Sequence, residues 1–256
     1  MQSNKIVLLA GKGISTNIVY NFLKDSFDIA RVIIEEPPSR ISLIKKRIKR
    51  FGILKVTGQL AFQVIIMNAL KMLSKKRKQE ILDNYLLDDT PPPADKVNIV
   101  RSVNDKETIS LLNELHPTLV IVNGTRIISK QVLNSVNATF INTHAGITPK
   151  YRNVHGAYWA LVKKDPEHCG VTVHLVDQGI DTGKVLYQKT ITVSEKDNFV
   201  TYPFLQIGEG VRILRQAASD HFNDRLTIKD GTRESHLWYH PTIFQYLYYR
   251  FKFGVK

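Results

Sequence analysis

The chain has 256 residues, 43% of them hydrophobic, which is enough to bury one α/β domain or two small ones. Its single cysteine, Cys169, excludes an internal disulfide framework and fits a reducing compartment. The formal net charge is +13, but twelve Lys or Arg and no Asp or Glu fall between Ser39 and Gln79, and this concentration excludes a uniformly basic nucleic-acid binder.

The amino-terminal residues read as strand, glycine turn and helix. Lys5 to Ala10 is a short apolar run, Gly11-Lys12-Gly13 turns, and a helical pattern runs from Ser15-Thr16 to Leu23. Five apolar residues after Lys5 are too few for a secretory h-region. Only two of the three dinucleotide-fingerprint glycines are present, so the pattern is a poor NAD signal. Gly11 and Gly13 stand either as a phosphate or sugar contact at a helix amino end or as a tight turn serving packing alone. Phe27 to Ile34 is the second strand, stopped by Glu35-Glu36-Pro37-Pro38.

Ser39 to Tyr85 breaks the α/β rhythm. Ile41, Ile44, Ile48 and Phe51 fall at helical spacing among basic residues. Phe51 to Leu73 is the most apolar stretch, but Lys55, Gln59, Gln63 and Asn68 interrupt it, and two amphipathic helices are expected rather than a membrane span. Two uses fit such a segment: a helical insertion with a solvated basic face, or a surface that meets anionic lipid or a phosphorylated carrier. Leu87 to Ala94, with three consecutive prolines, is a linker.

The rhythm then resumes, with strands at Val97 to Val100, Thr118 to Val122 and Ala138 to Asn142, and helices at Glu107 to Leu115, Ile128 to Leu133 and Val154 to Lys163. Gly170 to Val176 and Val185 to Val193 form a strand pair. Phe199 to Asp220 is a long helix carrying Val211, Leu214 and Ala218 inward. The tail from Trp238 to Phe253 is rich in aromatics, with Arg250 and Lys252 among the last, and reads as a packed terminal helix or an interfacial anchor. The expected fold is a Rossmann-like, doubly wound, mostly parallel sheet in one domain over 1–256. Residues 39–93 are its insertion and linker, and 224–256 its tail.

The chemistry gathers between Phe140 and Gln188. Strand alternation points Asn142 and His144 the same way, with Thr143 opposite. Asp181 follows in Gly179-Ile180-Asp181-Thr182-Gly183, where glycines allow a tight turn and a close approach to a ligand. Singly, each has a plain reading: a strand-end Asn forms turns, a strand His is structural, and an Asp between glycines belongs to a loop. Together, an amide, an imidazole and a carboxylate at two strand ends and one loop are a chemical set. Cys169 reads as a small buried residue and His174 as structural. No Cys/His cluster has metal-ligand spacing, so no metal is expected.

The same stretch resembles the folate-dependent formyltransferase family, which includes glycinamide ribonucleotide, methionyl-tRNA and sugar N-formyltransferases. Asn142-Thr143-His144, Pro149-Lys150-Tyr151-Arg152 and Gly170 to Gly183 match its motifs in order. The resemblance implies 10-formyltetrahydrofolate as formyl donor and Asn142, His144 and Asp181 as catalytic residues. They would stabilise a tetrahedral oxyanion and move protons between nitrogens without a covalent enzyme intermediate. It further implies cofactor contacts from Gly124, Arg126, Ile127 and Ile128 on one wall and from Asp177, Gly179 and Ile180 on the other. Lys150, Tyr151, Arg152 and His155, with Gly11 and Gly13, would meet the acceptor, and Tyr158 and Trp159 could line its pocket.

The family divides by acceptor amine. The residues after 193 are too few for the long helix plus the extra carboxyl-terminal barrel of the methionyl-tRNA enzymes. Ile14-Ser15-Thr16 departs from the Ser-Asn of the glycinamide ribonucleotide enzymes. An amino sugar, nucleotide-linked and destined for a surface polysaccharide, remains as the expected acceptor. The other readings are a glycinamide ribonucleotide-type enzyme, a formyltetrahydrofolate hydrolase and a non-catalytic membrane-associated binding module. The expected setting is cytoplasmic, with peripheral contact at an anionic inner membrane face and a homodimer both compatible, and with no nucleic-acid partner.

Overall fold

The computed structural model describes residues 4–229 and 234–256; part of the predicted tail, 230–233, lies outside them. Seven strands form one sheet: β1 (Lys5–Gly11), β2 (Asp28–Glu35), β3 (Val97–Val100), β4 (Leu119–Asn123), β5 (Thr139–His144), β7 (Gly170–Leu175) and β8 (Val185–Thr190), in the order β3-β2-β1-β4-β5-β7-β8. The first five are mutually parallel, whereas β7 runs antiparallel to β5 and β8 antiparallel to β7. A separate two-stranded piece pairs β6 (Arg152–Asn153) with β9 (Leu237–Trp238).

Both faces of the sheet are covered, which explains why β1 and β4 read as unbroken apolar runs rather than alternating ones. On β1, Ile6, Leu8 and Ala10 pack toward α1 (Ile14–Leu23) and the long helix α9 (Tyr202–Phe222), while Val7 and Leu9 join Leu112 and Val132 on the opposite side. Those two residues come from α6 (Lys106–Leu115) and α7 (Lys130–Leu133). Val211, Leu214 and Ala218 of α9 are fully buried, as their spacing predicts. Chain order reverses between β1 and β4, and the carboxyl ends of β1, β4 and β5 open together at that point.

The insertion holds more helix than the two predicted. It comprises α2 (Arg40–Phe51), then α3 (Ile53–Ala61), a π-helical turn at Phe62–Ile66 and α4 (Met67–Leu73) in one continuous run, then α5 (Lys75–Tyr85). The polar residues that argued against a span do not interrupt the helix, and two of them find partners. Asn68 bonds back to the Val64 carbonyl, and Gln59 turns inward to bond the His240 carbonyl. The run Ile53–Leu73 is long and apolar enough to cross a membrane by length and composition. Its inner side, through Phe62, joins an aromatic cluster with Tyr158 and Trp159 of α8 (Gly156–Val162), Phe199, and Tyr246 of α10 (Ile243–Phe253). Trp159 is therefore a core residue, and its indole N–H donates to the Tyr239 carbonyl.

One ion pair pins the end of the insertion to the domain. Arg77 on α5 donates through Nε and an Nη to both oxygens of Asp197, at 2.8 and 3.0 Å, and the Asp197 side chain is completely buried. Burial pushes that carboxyl upward, but the Arg77 contacts and the Ser194 hydroxyl and amide outweigh it and hold it below the ordinary range. Removing the cation should strand a buried charge. Arg77→Ala is expected to cost about 3–5 kcal/mol in urea unfolding at neutral pH. A carboxyl depressed in the folded chain stabilises above its unfolded pKa and loses that contribution as pH falls. The deficit should therefore shrink in acid, and one that stays constant with pH would assign the loss to packing instead.

Candidate functional site

β5 extends two residues beyond its predicted end and carries both Asn142 and His144. Thr143 faces the opposite way, against α9, where a Cβ on Gly210 would stand 3.0 Å from the Thr143 methyl. Asp181 adopts a left-handed backbone (φ 52°) in the loop after β7 and turns its carboxylate onto the end of β5. One oxygen accepts the Asn153 backbone N–H at 2.9 Å and lies 3.2 Å from His144 Nδ1. The other lies 3.4 Å from the Asn142 amide nitrogen and 3.6 Å from His174 Nε2. The three predicted catalytic residues therefore converge on one carboxylate.

The charge balance follows from these contacts. Burial pushes the Asp181 carboxyl upward, yet His174, His144 and the Asn153 N–H together hold it below the usual carboxylate range. Burial lowers the His144 pKa below its ordinary 6.5, against the opposing effects of Asp181 and of the Tyr151 carbonyl, 2.9 Å from Nε2. The geometry alone favours the cation, since both ring nitrogens face acceptors; desolvation of a ring only 7% exposed decides the other way. Burial thus weakens the imidazolium that the two acceptors would otherwise hold, and a neutral ring has one N–H to give to either the Asp181 carboxylate or the Tyr151 carbonyl.

His174, read as structural from the sequence, belongs to this centre. The Leu175 carbonyl, 2.7 Å from Nδ1, takes that proton. Nε2, 3.1 Å from the Asn142 amide nitrogen, is its acceptor in the neutral ring and a donor toward Asp181 in the charged one. Antiparallel pairing places Asn142 directly opposite His174, so an amide–imidazole contact across β5 and β7 follows from register. The signal for His174 was its strand position; what the sequence lacked was the pairing.

Beside the carboxylate lies a cleft of about 890 Å³. Gly124, Arg126, Ile127, Ile128, Asp177, Gly179 and Ile180 all line it, together with Val122 and Val176. Ile14 and Ser15 of α1 and Phe204 and Ile207 of α9 also line it, and none of these four was expected there. Aliphatic faces with irregular backbone on two sides suit a flat heteroaromatic ring whose edge carries donors and acceptors, and the volume suits a ligand of that size. The residues present thus fit a pterin. Arg126 does not aim its guanidinium at that space. Its Nε donates to Glu35 at 2.6 Å and its backbone N–H to the same carboxylate at 2.7 Å. Glu35, only 5% exposed, also accepts from the Val103 amide. The sequence offered it as a strand stop, whereas it anchors the loop that forms one wall.

The predicted acceptor contacts are not brought to the cleft. Tyr151 is buried, with its hydroxyl donating to Asp165, and Lys150 pairs with Asp165 and Glu234. Asp165, despite burial, is held at about 2 by Lys150, His168 and Tyr151, so that loop is internally neutralised. Arg152 donates to the Ile180 carbonyl, fixing the Asp181 loop from behind. His155 faces His240, ring nitrogens 2.8 Å apart, and burial with this neighbour drives its pKa well down. Gly11 packs against the next turn, where a Cβ would lie 2.5 Å from the Gly124 oxygen, so its role is close approach. Gly13 precedes α1 with open space around it. Among the described residues, no group of His, Cys, Asp and Glu could hold a metal ion.

The His144–Asp181 contact carries a titration prediction. Asp181 favours the imidazolium, so Asp181→Asn should move the His144 midpoint, followed by NMR of the ring protons, further below that of the parent. A midpoint that stays or rises would mean that the carboxylate does not act on the ring.

Comparison with known proteins adds a family to this geometry. Over 137 residues the chain is 31% identical to the methionyl-tRNA formyltransferase of Pelotomaculum thermopropionicum, covering 50% of this chain but only 44% of that protein. The chain thus spans less than half the length of this curated relative. Its fold is shared with a sugar N-formyltransferase from a Shewanella species (TM-score 0.56, 15% identity, 91% of this chain and 76% of that one). It is also shared with an N-formyltransferase from Helicobacter canadensis solved with folinic acid and dTDP-3-aminofucose (TM-score 0.53, 15% identity, 91% and 70%). The Formyl transferase family model matches residues 64–203, more than half of the chain and the whole of the Asn142–His144–Asp181 centre, and the chain belongs to that family.

Proposed function

We propose that the chain is a 10-formyltetrahydrofolate-dependent N-formyltransferase acting on the amine of a small acceptor, a nucleotide-linked amino sugar. The observation that carries the transferase reading is the convergence of Asn142, His144 and His174 on the Asp181 carboxylate beside an aliphatic cleft. When bound, the folate would supply a formyl group on nitrogen, the C–N bond to the donor being exchanged for one to the acceptor amine as one proton passes between the nitrogens. Residues 124–128 and 177–180 would hold the pterin.

The chain's own groups fit that exchange. The Asn142 amide has a hydrogen committed to Asp181 only across a long 3.4 Å contact, so it can be turned to a substrate oxygen that gains negative charge. Asp181, held below the usual carboxylate range, can accept a proton from the attacking nitrogen, and His144 beside it, its charged form disfavoured by burial, can take up and release that proton. Arg152, through the Ile180 carbonyl, and the Asn153 N–H hold the carboxylate in place.

The Helicobacter canadensis protein, solved with folinic acid and a dTDP amino sugar, supports the sugar acceptor by analogy of fold. The 31% identity to a methionyl-tRNA formyltransferase favours a second reading, with an aminoacyl-tRNA as acceptor. Purified protein incubated with 10-formyltetrahydrofolate and nucleotide-linked amino sugars, glycinamide ribonucleotide or methionyl-tRNA, read by mass spectrometry, should formylate a sugar. Product on the tRNA alone would give the chain to the second reading, and formate without added amine would make it a hydrolase. Asn142→Ala, His144→Ala and Asp181→Ala should each reduce kcat by about 10²–10³-fold or more with the fold retained. Near-parental turnover in any one would remove that residue from the centre.

A further inference from the structure

The faces of the insertion and tail that point away from the domain are apolar, and nothing among the described residues covers them. On the run Ile53–Leu73 the inner stripe is Val56, Gln59 and Phe62, each at 1% exposure or less, and it lies against the domain. The outer stripe returns at helical spacing: Leu54 is 87% exposed, Ile65 57% and Met72 72%. α10 crosses this run where Gly58 permits close approach, a Cβ there standing 3.0 Å from the Thr242 Cβ. It leaves Phe244 and Phe251 78% and 83% exposed, seven residues apart and so on one side. α2 has no buried residue; its Ile41 is 68% exposed, and Lys45, Lys46 and Lys49 stand beside it in solvent.

Three features choose the occupant. Large aliphatic and aromatic side chains interleaved with lysine match the interface of an anionic bilayer, where apolar tips enter the acyl boundary and cations remain with headgroups. A second copy of the same face would set the exposed Lys45, Lys46 and Lys49 of α2 against their own counterparts, with no acid on α2 or the Ile53–Leu73 run to relieve them. A polyanion such as RNA would use the lysines and leave the apolar stripes in water. A crossing orientation is also disfavoured. Gln59 accepts from Arg47 and donates to the His240 carbonyl, each at 2.7 Å, so the helix is tied along its inner side to the domain.

We infer that the outer face of α2, the Ile53–Leu73 run and α10 is a peripheral docking surface for an anionic phospholipid membrane, with the helices lying in the interface plane. The site is separate from the catalytic cleft, so this reading stands or falls independently of formyl transfer.

The test uses the full chain and vesicles of phosphatidylcholine with or without phosphatidylglycerol. Co-sedimentation should show binding to the anionic vesicles and a loss with added salt. Two variants, Leu54→Ser/Ile65→Ser/Met72→Ser and Lys45→Gln/Lys46→Gln/Lys49→Gln, should each weaken it about tenfold or more with unchanged thermal unfolding and unchanged cleft activity. Met72→Cys carrying an environment-sensitive fluorophore should shift to the blue on vesicle addition. The native Cys169 is buried, its thiol pushed up to about 12, and will not compete for the label. Parental protein that ignores anionic vesicles overturns the proposal, and so does vesicle binding insensitive to the apolar triple variant. A stable dimer that this variant dissolves, or tRNA binding without vesicle binding, would assign the face to a second copy or to RNA.

Discussion

The Asp181 carboxylate is the constraint on which the centre is built. It is brought to β5 by a backbone in the left-handed region, a conformation that costs a non-glycine residue free energy and persists only where surroundings hold it. The surroundings are specific: the Asn153 N–H on one oxygen, Arg152 on the Ile180 carbonyl, and Thr182 with the Gly179 amide closing on Asp177. Asn153 is itself left-handed (φ 80°), and its amide donates to the Trp238 carbonyl at 2.6 Å. A polar chain therefore runs from the tail, through the β6–β9 pair, to the carboxylate. Tail residues far from the cleft by number help fix the acid at its centre.

Burial gives that acid its chemistry. Burial alone pushes the carboxyl toward protonation, whereas His174, His144 and the Asn153 N–H outweigh it and hold it below the usual carboxylate range. The same burial pulls His144 toward neutrality, so acid and base are poised differently although they lie 3.2 Å apart. A pair in which one member stays ionised and the other is reluctant to charge can pass a proton without either becoming a permanent ion pair.

The sequence made the sheet, its order of elements and the Asn142–His144–Asp181 set legible, because alternation, helical spacing and glycine placement are local signals. At Lys150, Tyr151, Arg152 and His155 it showed residue type but not surroundings. Those residue types suit an anionic acceptor, and only tertiary contacts show each one already engaged, with Asp165, Ile180 or His240. Glu35 and His174 were passed over for the converse reason. Their local settings, a strand end and a strand interior, are ordinary, and their importance comes from the loop or strand that pairs with them. Phe204 and Ile207 had no local signal, since a helix that lines a cleft and one that packs on a core share the same apolar spacing.

The insertion separates two properties that a helix in a water-soluble protein ordinarily joins. A helix docked by one face usually turns a polar face outward, and the alternation reveals which is which. In the run Ile53–Leu73 both sides are apolar, which is why the sequence reads there as the most hydrophobic stretch and tests as a span by length and composition. The inner side is explained by Phe62, Phe199, Tyr158 and Tyr246, an aromatic cluster that α8 and α10 complete. The outer side has no counterpart in the packing. α10, which shares that cluster through Tyr246, repeats the pattern with Phe244 and Phe251. Two helices far apart in sequence, packed on one another, thus each carry a second apolar face, and the basic α2 adjoins the first of them.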